Sequence, residues 1–346
     1  MGRAVLTTIF AAIRPLTFHG IKKWQRSLVF DMYLLGFDIG GTKCAVVTAM
    51  WDGENISILK KEKCATDLTV SPERMIEKLI AMADGILEKS PDAIGISCGG
   101  PLDSARGILL GPPNLPGWNH VQIVNILQAH YHVPIKLQND ANACAVAEWK
   151  FGAGQGCRNM VFMTFGTGLG AGLILNGALY SGTSDNAGEL GHIRLSDLGP
   201  VGFGKAGSFE GFCSGNGIAQ LGYFKALEKM QQGEYPLYCK KGDTISTITA
   251  KSIAGAARLG DETAIDVYRT CGAYLGKGLA VIIDLLNPEK IVIGSIFARS
   301  RDLLWESTAA VIQKEALPQS SCCCEIVSAA LGEEIGDYAA IAVALS

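Results

Sequence analysis

From residue 33 onward the chain alternates between short runs dense in β-branched and aliphatic residues and longer stretches whose apolar positions return every three to four residues. "YLLGFDI" and "KCAVVTAM" flank the turn "GGT" and are followed by "NISILKKEK", the pattern of antiparallel strands joined by tight turns. Met75, Ile76, Leu79, Ile80 and Met82 recur near a 3.6-residue period and predict a helix over about residues 70–88. Beyond it the pattern predicts a strand at "DAIGISC", a helix near 120–130, a strand at "PIKLQ" and a helix over about 140–150. Strands alternating with helices make an α/β domain.

A second pair of β-rich runs around a glycine turn, in "NMVFMTFGTGLGAGLILNGALY", repeats the opening architecture. The duplication predicts two related halves facing each other across a cleft. "TAIDVYRTCGAYLGKGLAVIIDLLN" reads as one long amphipathic helix. It is followed by the strand "KIVIGS", another helix, the strand "CCEIVSA" and a closing helix in "EEIGDYAAIAVAL".

Composition narrows the function classes. A length of 346 residues and 48% hydrophobic content can supply a core for each of two domains. Thirty basic residues against 33 acidic ones, with no long run of either sign, leave no electrostatic footprint for nucleic acid. Small molecules or further copies of the chain are the expected partners. No run of apolar, uncharged residues is long enough to read as a membrane span. The 11 cysteines sit mostly in apolar runs and read as reduced, buried thiols, which points to the cytoplasm. Cys322, Cys323 and Cys324, placed on a strand, would face alternate sides and so read as small strand residues rather than a metal site. The first 31 residues combine a short apolar stretch, interrupted by Arg14 and Pro15, with a basic segment. They read as an extension ahead of a folded chain that begins near Met32.

Four stretches can carry chemistry. In "DIGGTK", Gly40 and Gly41 would let backbone amides approach a phosphate, Thr42 and Lys43 would add donors, and Asp38 could place Mg²⁺ through water. "TFGTGLGAG" offers the same chemistry through Thr164, Gly166, Thr167 and Gly168. Neither loop has a Walker ending, and the glycines join strands rather than open a helix, which argues against a dinucleotide fingerprint. Asn139 and Asp140 stand at a strand-to-helix junction, where they serve equally well as helix caps or, for Asp140, as a general base. In "NAGELGH", Glu189 and His192 would share a face of a helical turn, and Glu210 follows in a glycine-rich loop.

Taken in order, "DIGGTK", "GISCGGPLD", "NLPGW", "NDANACAVAE", "TFGTGLGAG", "GELGH" and "PEKIVIG" resemble the ROK family, which groups sugar kinases with sugar-responsive repressors on the actin-like ATPase fold. The resemblance runs from about Tyr33 to the C-terminus. It implies a two-domain α/β protein: a small domain from 33–141 plus 333–346, a large domain over 142–332, and residues 1–32 outside both. It also implies that Asp140 is the base accepting the sugar hydroxyl's proton, that Gly100, Asn139, Glu189, His192 and Glu210 line the sugar site, and that the two glycine loops with Gly294 hold ATP, which carries Mg²⁺ near Asp38. The implied reaction is transfer of the γ-phosphate to the 6-hydroxyl of glucose or a related aldohexose. N-acylhexosamines, allose and fructose are alternative substrates, and a silent sugar-binding regulator is the alternative of a different class. A repressor would carry a winged helix-turn-helix, and the first 31 residues show no two-helix pattern for one. The family's habit implies a homodimer or homotetramer.

The sequence departs from the family pattern in two places. Relatives carry C-x-C-G-x-x-G-C-x-E, whose three cysteines bind structural zinc with the histidine of "GH". Here Val201, Phe203 and Ser208 stand at the cysteine positions, so no structural zinc is expected, and Val201, Phe203 and Phe209 are expected to pack in its place. Ser295 follows "IVIG" where the family often has a second glycine. Discriminating sugar contacts are expected from the altered loop and from "NLPGW" near Trp118.

Overall fold

The structure, a computed structural model, describes residues 31–346. The reading of the N-terminal extension therefore lies outside the described residues, apart from Met32, which opens the first strand.

The first half begins with β1 (Met32–Ile39), β2 (Lys43–Trp51) and β3 (Ile56–Ala65), then helix α1 (Pro72–Ile86) and β4 (Ala93–Cys98). A small sheet of β5 (Leu102–Asp103), β6 (Ile108–Leu110) and β7 (Asn119–Val121) follows, with α2 (Ile123–Tyr131), β8 (Ile135–Asn139) and α3 (Asp140–Phe151). The second half holds β9 (Met160–Phe165), β10 (Leu169–Leu175), β11 (Ala178–Tyr180), the short hairpin β12 (Val201–Gly202) and β13 (Lys205–Ala206), and the single turn α4 (Phe209–Phe212). Helices α5 (Gly215–Gln231), α6 (Ala250–Arg258) and α7 (Glu262–Leu286) lead to β14 (Lys290–Ile293), α8 (Ile296–Glu315), α9 (Pro318–Ser321), β15 (Glu325–Ser328) and α10 (Ile335–Ala344).

The duplication read from the sequence is present in the topology. One sheet runs β3-β2-β1-β4-β8, the other β11-β10-β9-β14-β15; in each, three antiparallel strands continue into two parallel ones. Strands β1 and β4 are buried almost throughout, as near-continuous apolar runs are when helices cover both faces of a sheet. On the outer face, Met75, Ile76, Leu79 and Ala83 of α1 pack against Leu35, Phe37, Ile94 and Ile96. On the inner face lies α10, and Gly95 is the reason it fits: a Cβ there would stand 2.0 Å from the carbonyl oxygen of Ala340.

Helices α10 and α3 form the layer between the two sheets. Ala143, Val146 and Ala147 of α3 and Ala339, Ala342 and Val343 of α10 share a core with Phe162 and Val292 of the second sheet. The small residues of "ANACAVA" and "YAAIAVA" thus serve close helix and sheet approach rather than helix propensity alone. Glu148 of α3 is fully buried and accepts backbone hydrogen bonds from Ala153, Ala330 and Leu331, which ties α3 to the turn ahead of α10. The other face of the second sheet is covered by α7, whose Leu275, Leu279 and Ile282 share a core with Met163, Phe165 and Ile293.

The element expectations stand with adjustments. The second hairpin continues into a third strand, β11, after the turn at Asn176 and Gly177. Cys322, Cys323 and Cys324 do not lie on a strand: they form the turn after α9, and β15 starts at Glu325. Cys322 and Cys323 are exposed there, because the strand begins two residues later than the run "CCEIVSA" suggests. Val201 and Phe203 do not pack inward. They are 47% and 74% exposed on the β12–β13 hairpin, whereas Phe209 is fully buried. Among the described residues no helix is long and apolar enough to cross a membrane.

Candidate functional site

Three parallel or central strands of the first sheet end at the same edge. The register pairs Asp38 of β1 with Ser97 of β4, and Cys98 of β4 with Asn139 of β8, so Asp38, Gly100 and the Asn139–Asp140 junction gather where the sheet meets the cleft. Asn139 is the N-cap of α3: its Oδ1 accepts from the amides of Ala141 and Asn142, at 3.0 and 3.4 Å. The capping reading of Asn139 therefore holds. Asp140 is the first residue of the helix, exposed to the cleft, with Oδ1 accepting from the Ala141 amide at 2.8 Å.

One cavity opens from this edge, and a second lies in the other half of the chain. The smaller, of about 370 Å³, is lined by Gly100, Asn139, Glu189, His192 and Glu210 together with Asp185. All five residues expected at the sugar, other than Asp140, thus meet in one concavity. The segment "GELGH" makes a 3₁₀ turn over Leu190–His192, which turns Glu189 and His192 to the same side, and neither side chain hydrogen-bonds another described residue. Glu210, on α4, is partly committed: its Oε2 accepts from the Leu169 amide at 2.9 Å and so pins the end of the second glycine loop.

The larger cavity, of about 820 Å³, lies on the far side of that loop and is lined by Gly166, Thr167, Asn216, Tyr268, Ser295 and Arg299 among others. Of the residues expected at the nucleotide, Gly166 and Thr167 form its wall. Thr164 does not: its hydroxyl closes the hairpin, accepting from the Gly170 amide at 2.8 Å. Gly168 backs onto the Glu210 carboxylate, and Gly294 donates to Met163 across β9. The first loop, Gly40 to Lys43, stands apart from both cavities. Gly41 meets a second constraint there, since a Cβ would come within 2.2 Å of the Asn114 carbonyl oxygen. Thr42 and Lys43 are exposed at its tip.

Charge accumulates on one sign. Burial pushes the Asp38 carboxyl up to about 6, helped by the nearby Asp140 and Asp337 and opposed by Lys43 and Lys61. Among the described residues no donor hydrogen-bonds it. Asp140 is likewise raised by the surrounding protein, against the pull of the Ala141 amide and its own. Glu189 is raised by burial and by Asp140, with His192 pulling the other way. Asp337 is neutralised by an ion pair with Lys61, which bonds β3 to the start of α10. A floor of crowded carboxylates suits a cation and hydroxyl donors, and the unpartnered Asp38 carboxylate fits a Mg²⁺ that arrives with a nucleotide.

The zinc position is filled differently. Ser208 is buried as the N-cap of α4, its hydroxyl accepting from Gly211 at 3.0 Å, and Lys205 Nζ donates to the His192 carbonyl at 2.7 Å. The His192 ring faces Phe203 edge-on at 6.3 Å. These side chains do not fit a four-ligand zinc site, and among the described residues no group of three His, Cys, Asp or Glu side chains could hold a metal ion. Trp118 is 1% exposed in the core of the first half, and no residue of "NLPGW" lines the smaller cavity; the preceding Pro113 does. Asp185, Asn186 and Arg299 were not marked by the sequence. The polar run "TSDNAGE" ahead of Glu189 was the available signal for the first two.

Comparison with known proteins agrees with this geometry. A profile described as the ROK family matches residues 34–346. The glucokinase of Halalkalibacterium halodurans is 31% identical over 314 residues, 88% of this chain and 93% of that protein. A ROK family glucokinase from Streptomyces griseus, solved in complex with glucose and AMPPNP, superposes with a TM-score of 0.72 at 29% identity, over 90% of this chain and 99% of that one. The xylose repressor of Bacillus spizizenii is also related, at 27% identity over 88% of this chain and 76% of the repressor.

Proposed function

Since the chain belongs to the ROK family and has the actin-like ATPase fold of its kinases, we propose that it is an ATP-dependent sugar kinase, acting on the 6-hydroxyl of glucose or a related aldohexose. The observation that carries the reading is that Gly100, Asn139, Glu189, His192 and Glu210 converge on one cavity beside Asp140, next to a larger cavity walled by the second glycine loop. The resemblance to glucokinases over nearly their whole length supports it.

In this reading the smaller cavity binds the sugar. Glu189 and Glu210 accept from ring hydroxyls, and His192 and the free Nδ2 of Asn139 donate, so that an analogue lacking a hydroxyl leaves buried polar groups unpaired. The larger cavity takes the nucleoside, with Tyr268 and Arg299 in its wall and the Gly166–Thr167 backbone toward the phosphates. Mg²⁺ bound with ATP would neutralise charge on the transferring phosphoryl group. Asp140 receives the proton of the attacking hydroxyl, and the desolvation that raises its pKa makes the carboxylate a better base than its place at a helix N-terminus would. Alignment of hydroxyl and phosphate does the rest, since phosphoryl transfer asks little covalent chemistry of the protein. The loop from Val201 to Ser208 does this work without zinc, held by the Ser208 cap and the Lys205 bond.

The relation to repressors carries a second reading, a sugar-responsive regulator with the same pocket. One substitution separates the two. Asp140→Asn is nearly isosteric and keeps the cap at Asn139, so the sugar-kinase reading expects it to fold and bind sugar while turnover falls by about 10²–10⁴. A wild-type protein that binds sugar with no ATP turnover would favour the regulator.

A further inference from the structure

One residue of the smaller cavity does something the sugar-binding scheme does not use. Asp185 lies in the second half of the chain, in the irregular segment between β11 and the "GELGH" turn, yet its carboxylate reaches the first half. Oδ2 accepts from the Ser104 amide at 2.8 Å and Oδ1 from the Ser104 hydroxyl at 2.9 Å. Ser104 sits in the turn after β5, and the neighbouring Pro101 and Leu102 form the opposite wall of the same cavity. The backbone at Asp185 is left-handed, with φ of 57°, a conformation that glycine adopts freely and other residues less readily, aspartate being among the more tolerant. A second contact joins the same segment to the first half: Gln138 Nε2, one residue before the N-cap of α3, donates to the Ser181 hydroxyl at 3.4 Å.

We propose that Asp185 is a positioning residue of the sugar site: its two-pronged clasp on Ser104 spans the cleft and holds the two walls of the 370 Å³ cavity at their binding separation. Geometry selects Asp185 for this over the other acids of the cavity. Glu189 faces into the cavity unpaired and Glu210 binds within its own half, whereas Asp185 commits both oxygens to the other half of the molecule. Hydrogen bonds to an ionised carboxylate are the stronger kind, and two on one carboxylate fix orientation as well as distance. Because the clasp is made by protein groups alone, it supplies part of the ordering that ligand binding would otherwise require.

Asp185→Gly tests this without endangering the fold, since glycine suits the backbone at this position. Its first readout is amide hydrogen exchange of the ligand-free protein. Exchange at Ser104 and its turn should quicken by about tenfold or more, from the loss of charge-assisted bonds. Unchanged exchange at Ser104 overturns the clasp whatever the protein acts on. The second readout rests on the sugar-kinase reading: the KM for sugar should rise by about tenfold with kcat within about twofold, because the clasp acts equally before and during the reaction. Asp185→Asn, which keeps one acceptor, should fall between wild type and glycine. Faster exchange at Ser104 with an unaltered sugar KM would overturn the positioning role and leave only a surface bond. Absence of turnover in wild type would instead count against the kinase reading, and the exchange result would still decide the clasp.

Discussion

At the scale of single residues, the site is a set of carboxylates given different tasks by their surroundings. Asp38 carries the clearest consequence. Its folded-state pKa of about 6 lies above the ordinary 3.8, so the folded chain holds that proton more tightly than the unfolded one. Ionised Asp38 therefore costs stability above pH 6, and the cost fades as pH falls toward 4. Asp38→Asn should raise the thermal midpoint at pH 7.5, lose that advantage near pH 4, and abolish turnover; thermal melts at the two pH values check the sign. In the wild type, the sugar-kinase reading expects turnover to decline as pH drops through 6, because a protonated Asp38 would no longer attract Mg²⁺ carried by ATP. Glu210 has a different double duty. Glu210→Ala leaves the buried Leu169 amide without its acceptor, which should cost about 1–3 kcal/mol and raise the KM for both sugar and ATP. Glu210→Gln retains an acceptor for Leu169, so it should melt close to wild type while binding sugar more weakly.

At the scale of elements, what could be read in advance depended on how local its cause was. The strands and helices around "YLLGFDI", "DAIGISC" and the long helix Glu262–Leu286 follow from apolar period, and the Asn139 cap follows from residue type at a junction. The residues that line the smaller cavity were legible as candidates because a few polar groups stand in glycine-rich turns between apolar strands. What escaped was set by tertiary partners. The buried Glu148 looks like any helical acid until the turn at Ala330 and Leu331 supplies its donors. Discriminating sugar contacts were expected from "NLPGW" near Trp118, and the fold instead buries the Trp118 side chain in a core shared with Ile123 and Leu127 of α2. Phe203 was expected inside, but a two-residue hairpin carries it to the surface. Gly95 could not be assigned from sequence, since its role is to admit α10, about 245 residues later. Gly95→Ala would drive a methyl into the Ala340 carbonyl and should destabilise the chain by about 1–3 kcal/mol, with a thermal midpoint several degrees lower.

At the scale of the whole molecule, two sheets of one topology face a shared layer of α3 and α10, and the chemistry sits where that layer meets the cleft. Asp140 begins α3, and Asp337, beside Asp38, lies in the first turn of α10, so both central helices point an acidic N-terminus at the same place. The two halves supply different walls of the smaller cavity: the first brings Gly100 and Asn139, the second brings Glu189, His192 and Glu210. The loop at Val201–Ser208 is held by the Ser208 cap and the Lys205 bond, so chelator treatment followed by resupply of Mg²⁺ alone should leave both the melting temperature and the turnover of purified protein unchanged. The central claim, that these halves transfer phosphate from ATP to a sugar, is tested most directly by ADP release from chelator-treated protein resupplied with Mg²⁺ alone, across a panel of hexoses and N-acylhexosamines. Sugar-dependent turnover is expected, greatest with glucose or a related aldohexose. Folded protein that releases no ADP with any sugar of the panel would contradict it.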